Sequence, residues 1–327
     1  MNKFYIVLNY IFVILFAVAA VNCNAPRTNP LDPLNPDKPF NNITGTVKTI
    51  SFPNVPLAGV RVYWHNDNVF VETTSVGKFT IDNIRPINGW LFFENDKFVT
   101  DSLYIKWDTQ KKKEVAVFLN AKPVLDSLQF YSIVLNRFQY SQTTDLFIST
   151  IISDLDGVND IDSVYIKNEE LNFFKVLSYN VNTHFYEAKI TLGELNLFSI
   201  DEVIGKNFEI LVRDLQGRIF TAGSSNIKRI INQEIEIIAP ANHQEVSSPI
   251  YLSWKRFTPG FSFKYFLQIS TDNSPPEIVW QTENISSDSI SYKINQSLSP
   301  GEYFWTIWAI DEFSNRTRSK PATFTLQ

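Results

Sequence analysis

From about residue 42 the chain alternates apolar and polar residues with a period of two. The runs are short and separated by Gly, Pro, Asn or Asp. That pattern belongs to strands with one buried face. The first stretch predicts strands over 43–47, 56–63 and 73–81, with further ones near 90–93, 103–107 and 114–119. A second stretch predicts 146–152, 163–166, 173–177, 185–190, 208–212 and 218–222. There Asp214-Leu215-Gln216-Gly217 reads as a hairpin connection. The third predicts 250–254, 265–270, 278–280, a long strand over 303–310, and a last one at 324–326. The fold class is therefore all-β, as three consecutive β-sandwich domains. No repeat of 20–50 residues runs through them, so the modules are unlike one another rather than a solenoid.

Short motifs sharpen the three stretches. Ile43-Thr44-Gly45-Thr46-Val47, Pro56-Leu57-Ala58-Gly59-Val60-Arg61-Val62 and Thr73 through Gly77, Phe79 and Ile81 together resemble the carboxypeptidase regulatory-like domain. That resemblance implies a transthyretin-like sandwich over 41–121 and a non-catalytic accessory role. Residues 122–232 are similar in pattern to bacterial immunoglobulin-like domains. In the last stretch Trp254 sits on the second strand, and Leu298-Ser299-Pro300 leads into Tyr303 and a strand closing in Ala309-Ile310-Asp311. Residues 233–327 thereby resemble a fibronectin type III domain, with Trp254 in the core. The step from Leu298 to Tyr303 is one residue shorter than in the commonest animal version.

The hydrophobic pattern at the N-terminus is of another kind. After Lys3, residues 10–21 form an uninterrupted apolar run of signal-peptide length. Ala20-Val21-Asn22-Cys23 follows and resembles the lipobox of bacterial lipoproteins, although Asn22 stands where Gly, Ala or Ser is usual. The resemblance implies cleavage after residue 22 and acylation of the Cys23 thiol as a membrane anchor. Two other outcomes stay open: cleavage after Ala17-Val18-Ala19, and an uncleaved anchor. Residues 23–40 hold five Pro and read as a semi-extended tether.

Composition narrows the function classes. Net charge is −5, which leaves no electrostatic footprint for nucleic acid. Cys23 is the sole cysteine, so no intramolecular disulfide forms. The run Lys111-Lys112-Lys113 reads as a solvated turn. Catalytic motifs are missing from the sequence: there is no G-x-S-x-G elbow, H-E-x-x-H, P-loop or G-x-G-x-x-G. His65, His184 and His243 fall one to a domain, without paired ligand spacing.

Two features remain as candidate chemistry. Asp154, Asp156 and Asp160 flank Gly157 at a spacing that could supply oxygens to Ca²⁺, the one cofactor the sequence suggests. The alternative is a polar turn closed by Asx hydrogen bonds. Along 303–310, alternation turns Tyr303, Trp305, Ile307 and Ala309 inward. Phe304, Thr306, Trp308 and Ile310 then face outward. Phe304 and Trp308 so form a candidate aromatic patch for a sugar or a partner protein, unless a neighbouring domain or long side chains cover it. The expectation is a non-catalytic lipoprotein of the cell envelope, membrane-anchored through lipid. Its sandwiches act as spacers and binding modules for a protein or glycan. The alternative is a glycan-binding accessory subunit of an envelope polysaccharide-processing or uptake system.

Overall fold

The computed structural model describes residues 40–327, so the signal segment, Cys23 and all but the last residue of the tether lie outside the described residues. The described residues divide into two compact units, 40–120 and 121–327.

In the first unit the strands are β1 (Asn41–Thr49), β2 (Arg61–Trp64), β3 (Val69–Glu72), β4 (Lys78–Ile84), β5 (Gly89–Glu94), β6 (Asp101–Ile105) and β7 (Lys112–Leu119). They form two sheets, β4-β1-β7 and β3-β2-β5-β6. Ile43, Val47, Phe79 and Ile81 on one and Val62, Trp64, Leu91 and Phe93 on the other are all buried, and Phe79 meets Phe93 edge-on at 5.9 Å. The motif glycine Gly45 has a steric reason. A Cβ there would stand 2.4 Å from the Val115 carbonyl oxygen and 2.8 Å from the Phe79 ring, too close for any other residue. Two sequence expectations shift. The strands expected at 56–63 and 73–81 begin only at Arg61 and Lys78, because Gly59 and Gly77 take left-handed turns at φ 68° and 72°. The lysine run is also not wholly a turn. Lys112 and Lys113 open β7, which pairs parallel with β1 from Asn42↔Lys112 onward. Alternation within the run could not reveal a partner seventy residues away.

The second unit begins with β8 (Val124–Leu135), β9 (Thr143–Ser153), β10 (Ile161–Asn168), β11 (Phe173–Val176), β12 (Ser178–Asn180), β13 (Phe185–Thr191), β14 (Phe208–Asp214) and β15 (Ile219–Ser225). It continues with β16 (Ile237–Ala239), β17 (Gln244–Val246), β18 (Tyr251–Trp254), β19 (Phe263–Thr271), β20 (Ile278–Ser286), β21 (Ser291–Lys293), β22 (Gly301–Asp311), β23 (Arg316–Arg318) and β24 (Ala322–Leu326). The hairpin expected at 214–217 joins β14 to β15, with Gly217 N–H donating to the Asp214 carbonyl. Two hydrophobic cores are present. One gathers Phe130, Leu146, Ile148, Val164, Ile166, Phe208 and Ile210. The other gathers Trp254, Tyr265, Leu267, Trp305, Ile307 and Phe324. Trp254 is buried as expected, edge-on to Tyr265 at 5.2 Å. The Tyr303 hydroxyl donates to the Ser299 carbonyl at 2.7 Å, so the shortened lead still closes its corner.

The two cores are separate, but a sheet runs through both. Its strand order is β12-β13-β9-β8-β23-β22-β19-β20, and the short β23 pairs parallel with β8. The stretches 122–232 and 233–327 are thus joined edge to edge rather than strung as independent beads. A buried polar cluster seals the seam. Asn315 Oδ1 accepts from the Ser132 backbone N–H at 2.9 Å and from its hydroxyl at 3.1 Å. Asn315 Nδ2 donates to Asp311 Oδ2 at 3.1 Å. Arg229 pairs with that same carboxylate at 3.3 Å and lays its guanidinium 4.4 Å from the Phe261 ring centre. Burying these groups is tolerable only because each finds a partner.

Candidate functional site

The acidic loop follows the end of β9. Gly157, at φ 100°, lets the chain turn back so that its N–H donates to the Asp154 carbonyl at 3.0 Å. The Asp156 N–H donates to Asp154 Oδ1 at 2.7 Å, the Asx closure expected of such a turn. Asp156 Oδ2 accepts the Ala121 N–H at 2.6 Å, and Asp160 Oδ1 accepts from Gln216 Nε2 at 3.1 Å. The turn therefore ties the start of β8 to the β14–β15 hairpin. It also brings the three expected carboxylates together, with one oxygen from each within 4.8 Å of the others. Burial, with the charges of Asp156, Asp160 and Asp214, pushes the Asp154 carboxyl up to about 6, against the pull of the Asp156 N–H. The residue set suits a hard cation. The closed Asx turn serves equally well as a structural corner, so both readings of the loop persist in the geometry.

The expected faces of β22 are in place. Tyr303, Trp305, Ile307 and Ala309 are buried, while Phe304, Trp308 and Ile310 are half-buried on the other side. Thr306, between Phe304 and Trp308, is only 2% exposed, so neighbouring side chains close over the sheet there. The Arg318 guanidinium lies 5.7 Å from the Trp308 ring centre. Phe304 and Trp308 thus sit on the outer face without forming an open patch of their own.

A more exposed aromatic face lies in the first unit, where sequence reading did not look for one. On the outside of sheet β3-β2-β5-β6, register sets Tyr63 opposite both Phe70 and Phe92, and Trp90 opposite Tyr104. Phe70, Trp90 and Tyr104 are 56%, 47% and 44% exposed. The rings hold one another. Tyr63 and Phe92 stack at 6.3 Å, His65 meets both edge-on, and Trp90 meets Tyr104 at 5.2 Å. Arg61 lies 4.6 Å from the centre of Phe70 and 4.0 Å from the Glu94 carboxylate. The signal was available in Gly89-Trp90-Leu91-Phe92-Phe93, where both alternating faces are apolar although only one can enter the core.

His65 joins this ring cluster, the Tyr179 hydroxyl meets His184 Nδ1 at 2.9 Å, and His243 sits in the turn before β17. Cys23 lies outside the described residues.

No protein-family model matches the chain, and no curated protein matches it. Solved structures do, at low identity. Fibronectin(III)-like modules of Clostridium thermocellum CbhA are 14% identical over 63% of this chain and 93% of theirs, with a TM-score of 0.30. Chicken CNTN1 FN1–FN3 domains are 8% identical over 82% and 90%, with a TM-score of 0.34. BcpA, the major pilin subunit of Bacillus cereus, is 9% identical over 88% and 95%, with a TM-score of 0.28. The chain itself is an all-β protein of consecutive β-sandwiches.

Proposed function

We propose that this chain is a non-catalytic, lipid-anchored protein of the cell envelope whose β-sandwiches hold out a binding face to an envelope protein or glycan. The observation that carries the binding role is the outer face of β3-β2-β5-β6, where exposed rings stand on a sheet whose opposite face already fills a core. Exposed apolar patches of this kind mark interaction sites on soluble domains. The continuous sheet of the second unit suits a spacer, because a seam of buried hydrogen bonds resists bending better than a flexible linker. In the finer reading, 41–121 is carboxypeptidase regulatory-like, 122–232 immunoglobulin-like and 233–327 a fibronectin type III domain. The anchor rests on the apolar run that ends at Cys23. Fractionation tests it: Cys23→Ser is expected to move the protein from the membrane to the soluble envelope fraction. Mass spectrometry of the parent's mature N-terminus should show an acylated Cys23. Unchanged membrane retention of the variant, with an unmodified thiol in the parent, would overturn the anchor. A second reading, the accessory glycan-binding subunit, is favoured by the aromatic character of the exposed face.

A further inference from the structure

We infer that the outer face of β3-β2-β5-β6 binds a neutral polysaccharide chain, with Phe70, Tyr63, Phe92, Trp90 and Tyr104 as its stacking floor. This rests on the binding role proposed above and gives that role a ligand class. The floor is drawn from four adjacent strands. Phe70, Tyr63 and Phe92 follow one another across three adjacent strands, about 10 Å end to end at ordinary strand spacing. Trp90 stands on the same side of β5, two residues and about 7 Å along the strand from Phe92, at right angles to that row. A pyranose ring presents an apolar C–H face to such a floor and keeps its hydroxyls at the edge. Aromatic faces are electron-rich and take C–H groups well.

The polar rim fits hydroxyls. Arg61, Glu72 and Glu94 stand beside the rings, and Ser102 lies opposite Phe92. Charge decides against an acidic ligand. Arg61 is flanked by Glu72 on one strand and Glu94 on the other, and its guanidinium is already engaged by Glu94 and by the faces of Phe70 and Tyr63. A uronate or an anionic lipid surface would meet two carboxylates around a satisfied cation. The rings are also fixed before binding by their stacked and edge-on contacts, so little side-chain freedom is lost when a chain lands on them.

The test is affinity electrophoresis of the full chain, purified in detergent, through gels containing laminarin, amylose or hydroxyethyl cellulose, with alginate as the acidic counterpart. At least one neutral glucan should retard the parent while alginate does not. Trp90→Ala and Phe70→Ala should each weaken that retardation by about tenfold, the loss of one ring's burial, with no fall in melting temperature. Phe52→Ala, exposed elsewhere in the same unit, and Trp308→Ala should bind as the parent does. No retardation by any neutral glucan, stronger retardation by alginate, or parental binding by both ring variants would overturn the inference. A chain that carries an acyl group on Cys23 yet binds no glucan would refute this ligand alone and leave a protein partner. A chain that binds glucan with an unmodified Cys23 would do the reverse.

Discussion

Single residues separate core from surface in ways that stability measurements can read. Trp254 is buried among Tyr265 and the second core, so Trp254→Ala should cost about 3–5 kcal/mol in denaturant unfolding. Trp308, half-buried under Arg318 on the opposite side of the sheet, should cost about 1 kcal/mol when replaced by Ala. Equal losses would mean that the two faces of β22 are exchanged. Asp154 offers a pH test. Its carboxyl titrates near 6 in the fold, against an ordinary value of 3.8, so between those values the folded chain holds a proton that the unfolded chain releases. Stability from this group therefore falls as pH rises from about 4 to 6, and the penalty persists above. Asp154→Asn keeps the oxygen that accepts the Asp156 N–H and removes the charge. It should raise the melting temperature at pH 7.5 in chelator by something on the order of 2 °C, given partial solvent screening, and change nothing at pH 4. The same pair in added Ca²⁺ reads the loop's other role. An ion held by the three oxygens raises the parent's melting temperature and spares the variant's. A parent that ignores both Ca²⁺ and chelator leaves the loop as a corner only.

At the scale of elements, what was legible depended on whether a strand has one wet face. Strands such as β14 and β22 bury alternate residues and were read within a few positions. β8, at Val124–Leu135, was missed. Tyr131, Ile133 and Leu135 give its outer face apolar groups too, and its inward Ser132 breaks the pattern on the other. Ser132 is polar because it meets Asn315 across the seam, 183 positions away. That partner is invisible to local periodicity. The three loop aspartates were legible because chelating groups lie close in sequence, whereas the Phe70–Tyr104 floor is assembled from four strands. The seam makes its own prediction. Asn315→Ala strips a buried acceptor from the Ser132 N–H and a donor from Asp311. Leaving such groups unsatisfied should cost about 2–3 kcal/mol. Ser132→Ala removes only the hydroxyl and should cost about 1 kcal/mol. Denaturant melts of both variants check the ratio, and a larger loss for Ser132→Ala would place the weight of the seam elsewhere.

At the scale of the whole second unit, two cores share one sheet, and the two facts pull in opposite directions. Every buried member of the second core lies between Ile231 and Leu326, so a fragment starting near residue 231 contains what it needs to close a sandwich. It should fold and unfold cooperatively, as domains of this size do. The same cut removes β8 and leaves β23 as a bare edge, with Asn315 deprived of Ser132. The fragment should therefore melt below the same sandwich within 121–327. The coupling also works in the other direction. Phe208 is fully buried and belongs to the first core, not to the second. If the continuous sheet makes one cooperative body, Phe208→Ala in 121–327 should lower hydrogen-exchange protection in β22 as well as in β14. Independent sandwiches would instead lose protection in β14 alone, with β22 exchanging as in the parent. The measurement is exchange at low denaturant, where sub-global openings are resolved, and the expected outcome is a parallel loss in both strands.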